Sequence, residues 1–248
     1  MFGGDLVFRN EDLDQARCRK EFVSSAVDDI RWLGFQWNFG PVSQSDRIRI
    51  YQIHLQRLLD AGLAYPCFCS RRDILEAAGA PHETGDEPVY PGTCRSRSPD
   101  SYPAGRKPSI RFRVPDGAAV SFADNCRGQT RFVSGRDFGD FVIWRHDGIP
   151  SYQLAIVIDD YLMGITEVVR GEDLLKSTAR QILLYQAFNW ATPQWFHCPL
   201  MTDSSGTRLA KRHNSLSLQC LRETGTQPEE LLSRFEKEAE AWWSLPPK

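Results

Sequence analysis

The sequence predicts a mixed α/β fold interrupted by a small loop-rich insertion, on three observations. Short apolar runs of strand length alternate with segments whose apolar residues recur at helical spacing. Residues 65–108 are instead dominated by cysteine, proline, glycine and charge. Over 248 residues, 41% apolar and 25% charged side chains fit a globular chain with a sizeable core.

Taken in order, Asp5 to Arg9, "DLVFR", reads as the body of a strand, and a strand needs a neighbour to pair its backbone groups. Phe22, Ala26, Ile30 and Leu33 then make one helical stripe, and Ile48, Tyr51, Leu55 and Leu58 make a second that Gly62 stops. Both stripes are expected to face the core. Inside the insertion a short helix begins at Ser70, with Asp73 placed to close a capping box. Strands are expected over residues 110–114, 141–145, 153–158 and 167–170, followed after Ser177 by a helix carrying Ile182, Tyr185 and Phe188. A last helix runs from about Thr226, with Pro228 in its first turn, through Leu231, Leu232 and Phe235 towards Trp242.

No run reaches the apolar length of a membrane span, and Asp5, Glu11, Asp12 and Asp14 occupy the place of a signal core, so a cytoplasmic location is expected. The net charge of −2 gives no whole-molecule field favouring nucleic acid. A local basic run exists in "RSRSPDSYPAGRKPSIRFR", where Arg95, Arg97, Arg106, Lys107, Arg111 and Arg113 face the single acid Asp100. Taken alone it reads as a solvated surface segment. Seven cysteines, odd in number and scattered, do not form a secreted disulfide framework, and reduced thiols are expected. Cys18, Cys126, Cys198 and Cys220 read as small buried apolar residues.

Three stretches can carry chemistry. Cys67-Phe68-Cys69, with Tyr90 and Cys94 in "VYPGTC", offers three thiols and a phenol in a segment too poor in apolar residues to hold itself together. A metal would supply what the core does not, although C-x-C is a weaker signature than paired C-x-x-C, tyrosine is an unusual zinc ligand, and unrelated thiols are the alternative. "GTRLAKRHN", Gly206 to Asn214, carries Arg208, Lys211 and Arg212, cations able to neutralise a phosphoryl group or simply a basic surface loop. "SYQLAIVIDDYLMGITEVVRGEDLL" reads as two strands around Asp159 and Asp160, ending with Arg170 before Gly171. Charged strand ends are where open α/β sheets hold ligands, with structural ion pairs as the competing account.

In this order, the stretches resemble the glutamyl-tRNA synthetase family of class I aminoacyl-tRNA synthetases. "LVFRNEDLDQAR" is similar to the family's strand and R-I-E-D-x-D segment, with Asn10 in place of isoleucine. "YQIHLQRLLDAGLAYPCFCSR" resembles the helix that leads into its zinc-binding insertion, and "DGIPSYQLAIVIDDYLMGITEVVRGEDLL" its longest signature. "RLAKR" stands where the family has its KMSKS loop, with Arg208 for lysine and Ala210 for serine.

The resemblance implies a Rossmann-like class I catalytic core with an inserted zinc-binding subdomain. Residues 1–64 would be the first half of the nucleotide-binding core, 65–108 the zinc-binding insertion, and 109–248 the second half with the KMSKS-like loop and terminal helix, without an anticodon-binding domain. A strand, a P-S-P-T-G turn and a HIGH-motif helix are expected ahead of this core, and without them the chain is expected to form no adenylate. The C-x-C, Tyr, Cys set resembles that of the family's short branch, whose members activate glutamate with ATP and attach it to queuosine in the anticodon of tRNA(Asp). On this resemblance Glu11, Tyr152 and Arg170 contact glutamate, the guanidinium gripping a carboxylate through two parallel bonds. Lys211 holds the ATP phosphates and is the catalytic cation, Mg2+ accompanies ATP, Cys67, Cys69, Tyr90 and Cys94 hold Zn2+, and the protein acts as a monomer. A non-catalytic RNA-binding remnant and a fragment of a conventional glutamyl-tRNA synthetase are the alternatives.

Overall fold

Strand β1 (Val7–Asn10) forms close to where the opening residues place it, and its neighbour comes from later in the chain. Strand β2 (Phe39–Ser43) lies parallel to it, Val7 opposite Phe39 and Asn10 opposite Ser43. Parallel neighbours need a crossover, and helix α1 (Lys20–Trp32) supplies it. At Gly40 the backbone φ is +104°, and an added Cβ would lie 2.2 Å from the carbonyl oxygen of Phe8, so only glycine permits this approach of the two strands. This computed structural model describes residues 3–14, 18–78, 88–200 and 217–243, grouped in two units, Met1–Arg47 with Cys198–Lys248 and Ile48–His197.

In the first unit the α1 stripe departs from expectation. No residue of α1 is buried, Phe22 is 61% exposed, and of the predicted stripe only Leu33, just past the helix, is buried. Polar contacts tie α1 to helix α6 (Leu218–Glu223) instead: Arg222 pairs with Asp29 at 3.2 Å and Ser25 bonds Gln219 at 3.4 Å. Helix α7 (Pro228–Trp243) starts at its proline, with Glu229 and Glu230 in the first turn, where acids suit the helix dipole.

In the second unit helix α2 (Ile48–Asp60) buries the middle and end of its stripe, with Tyr51 and Leu58 almost inaccessible and Ile48 and Leu55 half-buried. Strand β3 (Ala64–Cys67) then pairs antiparallel with β4 (Ser109–Phe112), which pairs with β7 (Val142–Trp144) in a three-stranded sheet. Cys67 stands directly opposite Ser109, so the chain leaves this sheet and returns to it on adjacent strands. The excursion between them carries helix α3 (Arg71–Ala78), opened by the expected capping box: the Ser70 N–H donates to Asp73 at 2.7 Å and the Asp73 N–H to Ser70 at 3.2 Å.

A four-stranded sheet runs in the order β6 (Gly128–Val133), β5 (Ala119–Asp124), β9 (Gln194–Cys198), β8 (Glu167–Gly171). Apolar runs do not announce the β5–β6 hairpin, but β5 alternates exposed and buried residues throughout, a period-two signal ending on buried Asp124. The expected strand over 153–158 is a correction: these residues belong to helix α4 (Tyr152–Leu162). Every residue from Gln153 to Asp160 is buried, and a helix enclosed on all sides shows no amphipathic period, so its β-branched run imitates a buried strand. The Ser151 hydroxyl caps it by accepting from the Leu154 N–H. Asp159 and Asp160 therefore lie within a helix and not at a strand end, and Asp159 accepts the buried Tyr51 hydroxyl at 2.7 Å. Helix α5 (Leu175–Phe188) packs on α4, and begins before Ser177. Among the described residues no helix is long and apolar enough to cross a membrane.

Candidate functional sites

The end of β3, the turn into α3 and the loop around residues 90–94 converge on one point. The sulfurs of Cys67, Cys69 and Cys94 all lie within 4.8 Å of one another. The Tyr90 hydroxyl is among them, 3.4 Å from Cys67 Sγ and 3.6 Å from Cys69 Sγ, while the Cys69 and Cys94 sulfurs are 3.5 Å apart, hydrogen-bonded and without a disulfide. Four residues singled out in the sequence are thus brought together. Thiolates on a tetrahedral zinc, with bonds near 2.3 Å, stand about 3.8 Å apart, so the sulfur spacing fits such an ion. Burial pushes the Cys94 thiol up, but a backbone hydrogen bond from Phe68 and bonds with Tyr90, Cys69 and Cys67 outweigh it and bring it down to about 7. Burial pushes Cys69 up to about 11 and carries the Tyr90 phenol far above its ordinary range. One thiolate is therefore available near neutrality, and the other donors would lose their protons to a bound cation.

The basic run beside this cluster divides: Arg97, Arg106 and Lys107 are exposed, as the reading of it taken alone expects, whereas Arg95 and Arg113 are half-buried and Arg111 is drawn inside. Arg111 is buried, with Nε donating to Cys67 Sγ at 3.2 Å, Nη1 to the Asp140 carbonyl at 2.8 Å, and its guanidinium 3.9 Å from the centre of the Tyr90 ring. Arg95 bridges Asp116, Asp140 and the Val114 carbonyl, Arg113 donates to the Arg95 and Gly62 carbonyls, and Arg106 to that of Phe68. These cations staple a segment with little apolar core. Packing at the same point is close: a Cβ on Gly139 would lie 2.9 Å from the Tyr90 carbonyl oxygen. The four isolated cysteines are half-buried instead of buried, and none of the seven is in a disulfide.

A second convergence lies where β8, β9, β5 and α5 meet. Arg170 on β8 donates from Nε to His197 Nε2 at 3.1 Å, from Nη2 to Thr178 Oγ1 at 2.6 Å and Gln181 Oε1 at 2.8 Å, and from Nη1 to Tyr152 Oη at 3.3 Å. Tyr152, the first residue of α4, is 37% exposed, whereas His197, Thr178 and Gln181 are buried. The guanidinium thus spans from the interior to an open edge. Its Nε–Nη2 edge is consumed by the protein itself, so the expected two-bond grip by that edge is unavailable, and Nη1 faces the open side beside the phenol.

Of the three residues predicted to contact glutamate, the structure joins Tyr152 and Arg170. Glu11 belongs to the other unit, exposed after β1 and 3.4 Å from Arg9. Lys211, with the KMSKS-like loop, lies outside the described residues. The sequence reading missed Asp124, His197, Thr178 and Gln181. A buried His at a core-facing position of β9 is a signal in retrospect, but Asp124, 73 residues away, has no local pattern joining it to His197.

Burial and the neighbouring Arg170 lower the His197 pKa, against the opposing pull of Asp124. The folded chain then refuses a proton that the unfolded chain accepts near 6.5, so the unfolded state binds more protons and acid favours it. Stability is expected to fall as pH drops below about 6.5. His197→Gln should flatten that slope, read as the difference in urea midpoint between pH 5 and pH 7. Equal slopes in both proteins would refute the assignment of this proton to His197.

Residues 1–238 match the family described as tRNA synthetases class I (E and Q), catalytic domain. The chain is 45% identical over 246 residues to the glutamyl-Q tRNA(Asp) synthetase of Symbiobacterium thermophilum, covering 94% of this chain and 76% of that one. It is 42% identical over 234 residues to the glutamate–tRNA ligase of Hydrogenobaculum sp., over 93% of this chain and 50% of the relative. A crystal structure of a glutamate tRNA ligase from Elizabethkingia meningosepticum in complex with its amino acid matches with a TM-score of 0.71 at 29% identity, over 86% of this chain and 46% of that one. The chain spans about half the length of these glutamate–tRNA ligases.

Proposed function

The chain belongs to the family of class I tRNA synthetases (E and Q), whose catalytic domain it matches over residues 1–238, and on that premise we propose that, together with the HIGH-motif segment the resemblance expects ahead of it, it activates glutamate with ATP and transfers it to queuosine in the anticodon of tRNA(Asp). It is an aminoacyl-tRNA synthetase-like ligase of α/β fold. The observation that carries the choice of amino acid is Arg170, locked from behind and offering Nη1 beside the Tyr152 hydroxyl at an open edge. An always-charged donor paired with a phenol suits a carboxylate. The carboxylate held there is the one that does not react, because the other must be free to attack the α-phosphorus of ATP in line and displace pyrophosphate. Glu11 is assigned to the substrate ammonium and Lys211 to the phosphates, with Mg2+ offsetting their charge.

The choice of acceptor rests on the similarity to glutamyl-Q tRNA(Asp) synthetases at 41–45% identity. Cys67, Cys69, Tyr90 and Cys94 are assigned to one zinc ion, which would cross-link residues 65–108. Labelled glutamate and ATP, supplied with queuosine-containing tRNA(Asp), queuosine-free tRNA(Asp) or tRNA(Glu), test the proposal. Label is expected on the queuosine-containing tRNA(Asp) alone. Label on tRNA(Glu) would overturn the acceptor in favour of a conventional glutamate–tRNA ligase, and no label on any tRNA by the natural full-length polypeptide would favour a non-catalytic RNA-binding role.

A further inference from the structure

We propose that Asp124 and His197 are positioning residues that hold the Arg170 guanidinium in its substrate-binding orientation by fixing the tautomer of His197, an inference that rests on the glutamate reading above. The donor and acceptor inventory forces this arrangement. Arginine never accepts, so with Arg170 Nε 3.1 Å from His197 Nε2 that ring nitrogen must carry a lone pair. The ring proton is then on Nδ1, which donates to Asp124 Oδ2 at 2.6 Å. Thr178 Oγ1 completes the cradle, accepting from Arg170 Nη2 at 2.6 Å while its own hydroxyl lies 3.0 Å from the same ring nitrogen.

The aspartate is itself immobilised. Its Oδ1 accepts the backbone N–H groups of Cys126 and Arg127, each at 2.9 Å, and of His197 at 3.2 Å. The same side chain thus closes the turn after β5 and pins β9, leaving only Oδ2 to address the ring. A base held this way behaves as part of the backbone. Because Asp124 and His197 are buried and neither belongs to the open edge, they act through Arg170 and not on the substrate.

Asp124→Asn isolates the device. The amide oxygen inherits the three backbone bonds, so the amide nitrogen must face His197 Nδ1 as a donor. The ring would then move its proton to Nε2 and set N–H against the N–H of Arg170. Glutamate affinity is expected to fall about tenfold, as measured by titration calorimetry on the full chain, and the imidazole 15N signals should report Nδ1–H in the parent and Nε2–H in the variant. A glutamine at 197 offers an amide oxygen near the position of Nε2 and has no tautomer. In a His197→Gln background, Asp124→Asn should therefore cause no further loss of affinity, whereas two purely structural roles would add. A parent ring protonated on Nε2, or an Asp124→Asn loss as large in the glutamine background as in the parent, would overturn the proposal. Wild-type affinity in Asp124→Asn alongside weakened binding in Arg170→Lys would overturn the device alone. Wild-type affinity in Arg170→Lys would overturn the glutamate assignment and the device with it.

Discussion

Protein carrying Cys67→Ala and Cys69→Ala together is expected to retain no zinc, where the parent, purified without added metal, holds about one ion per chain. The effect should be large because little else orders this region. Its buried cluster consists of Tyr65, Cys67, Tyr90 and Cys94, with Cys69 and Ile74 packed against it, so three of its six members are the thiols themselves. A structural zinc supplies on the order of 10 kcal/mol to a small site, more than these few apolar contacts return. Loss of the ion should therefore open residues 65–108 to limited proteolysis while the α4–α5 core, built on Leu154, Ile158, Leu184 and Tyr185, resists. Tyr90→Phe should weaken retention less, since the phenol is the poorest donor of the four and its proton is held far more tightly than those of the thiols. Equal metal content in the double variant and the parent would remove the site.

Arg170→Lys is expected to weaken glutamate binding by roughly ten- to a hundredfold, the equivalent of about 1.5–3 kcal/mol for a lost charge-assisted bond. A lysine has all its donors on one nitrogen, and no single point reaches His197 Nε2, Thr178, Gln181 and Tyr152 together. The ammonium would settle on the buried acceptors, whose desolvated lone pairs need a donor most, and would withdraw from the open edge. Glutamate titration against the parent decides this. An unchanged affinity would place the carboxylate pocket elsewhere.

How much of this was legible in the sequence depends on the range over which each feature is written. The capping box at Ser70 and Asp73 and the Pro228 helix start are local, and they stand where the sequence places them. The cysteine cluster was legible as residue types, because Cys67, Cys69, Tyr90 and Cys94 have few other reasons to share a segment without an apolar core. Helix α4 was misread since full enclosure erases the period that separates helix from strand. The stripe of α1 was read correctly as a helix but not as core, because periodicity reports a face and not what covers it. Arg170 stood out only in company with its signature, and the residues that orient it, Asp124, His197, Thr178 and Gln181, come from three other elements. Sheet order brings Asp124 and His197 to Arg170 and the packing of α5 adds Thr178 and Gln181, and neither is written in any window of sequence.

The exit and return of the cysteine-bearing excursion on neighbouring strands would have a kinetic consequence for a bound ion. With Cys67 paired to Ser109, the ends of the intervening loop are held one strand spacing apart by the sheet, whatever happens inside it. Release of an ion would thus not disperse its ligands. Cys69 and Cys94 remain tethered to a fixed anchor point, and the entropy of closing the loop has already been met by strand pairing. Once one thiol has captured an ion from solution, the remaining ligations would be intramolecular, with the other thiols kept at a high effective concentration around it. Loss and recovery of metal then become a reversible local event in a chain that stays folded elsewhere, and the buried Arg111 on β4, bonded to Cys67 and stacked on Tyr90, is where the sheet would register that the ion has gone.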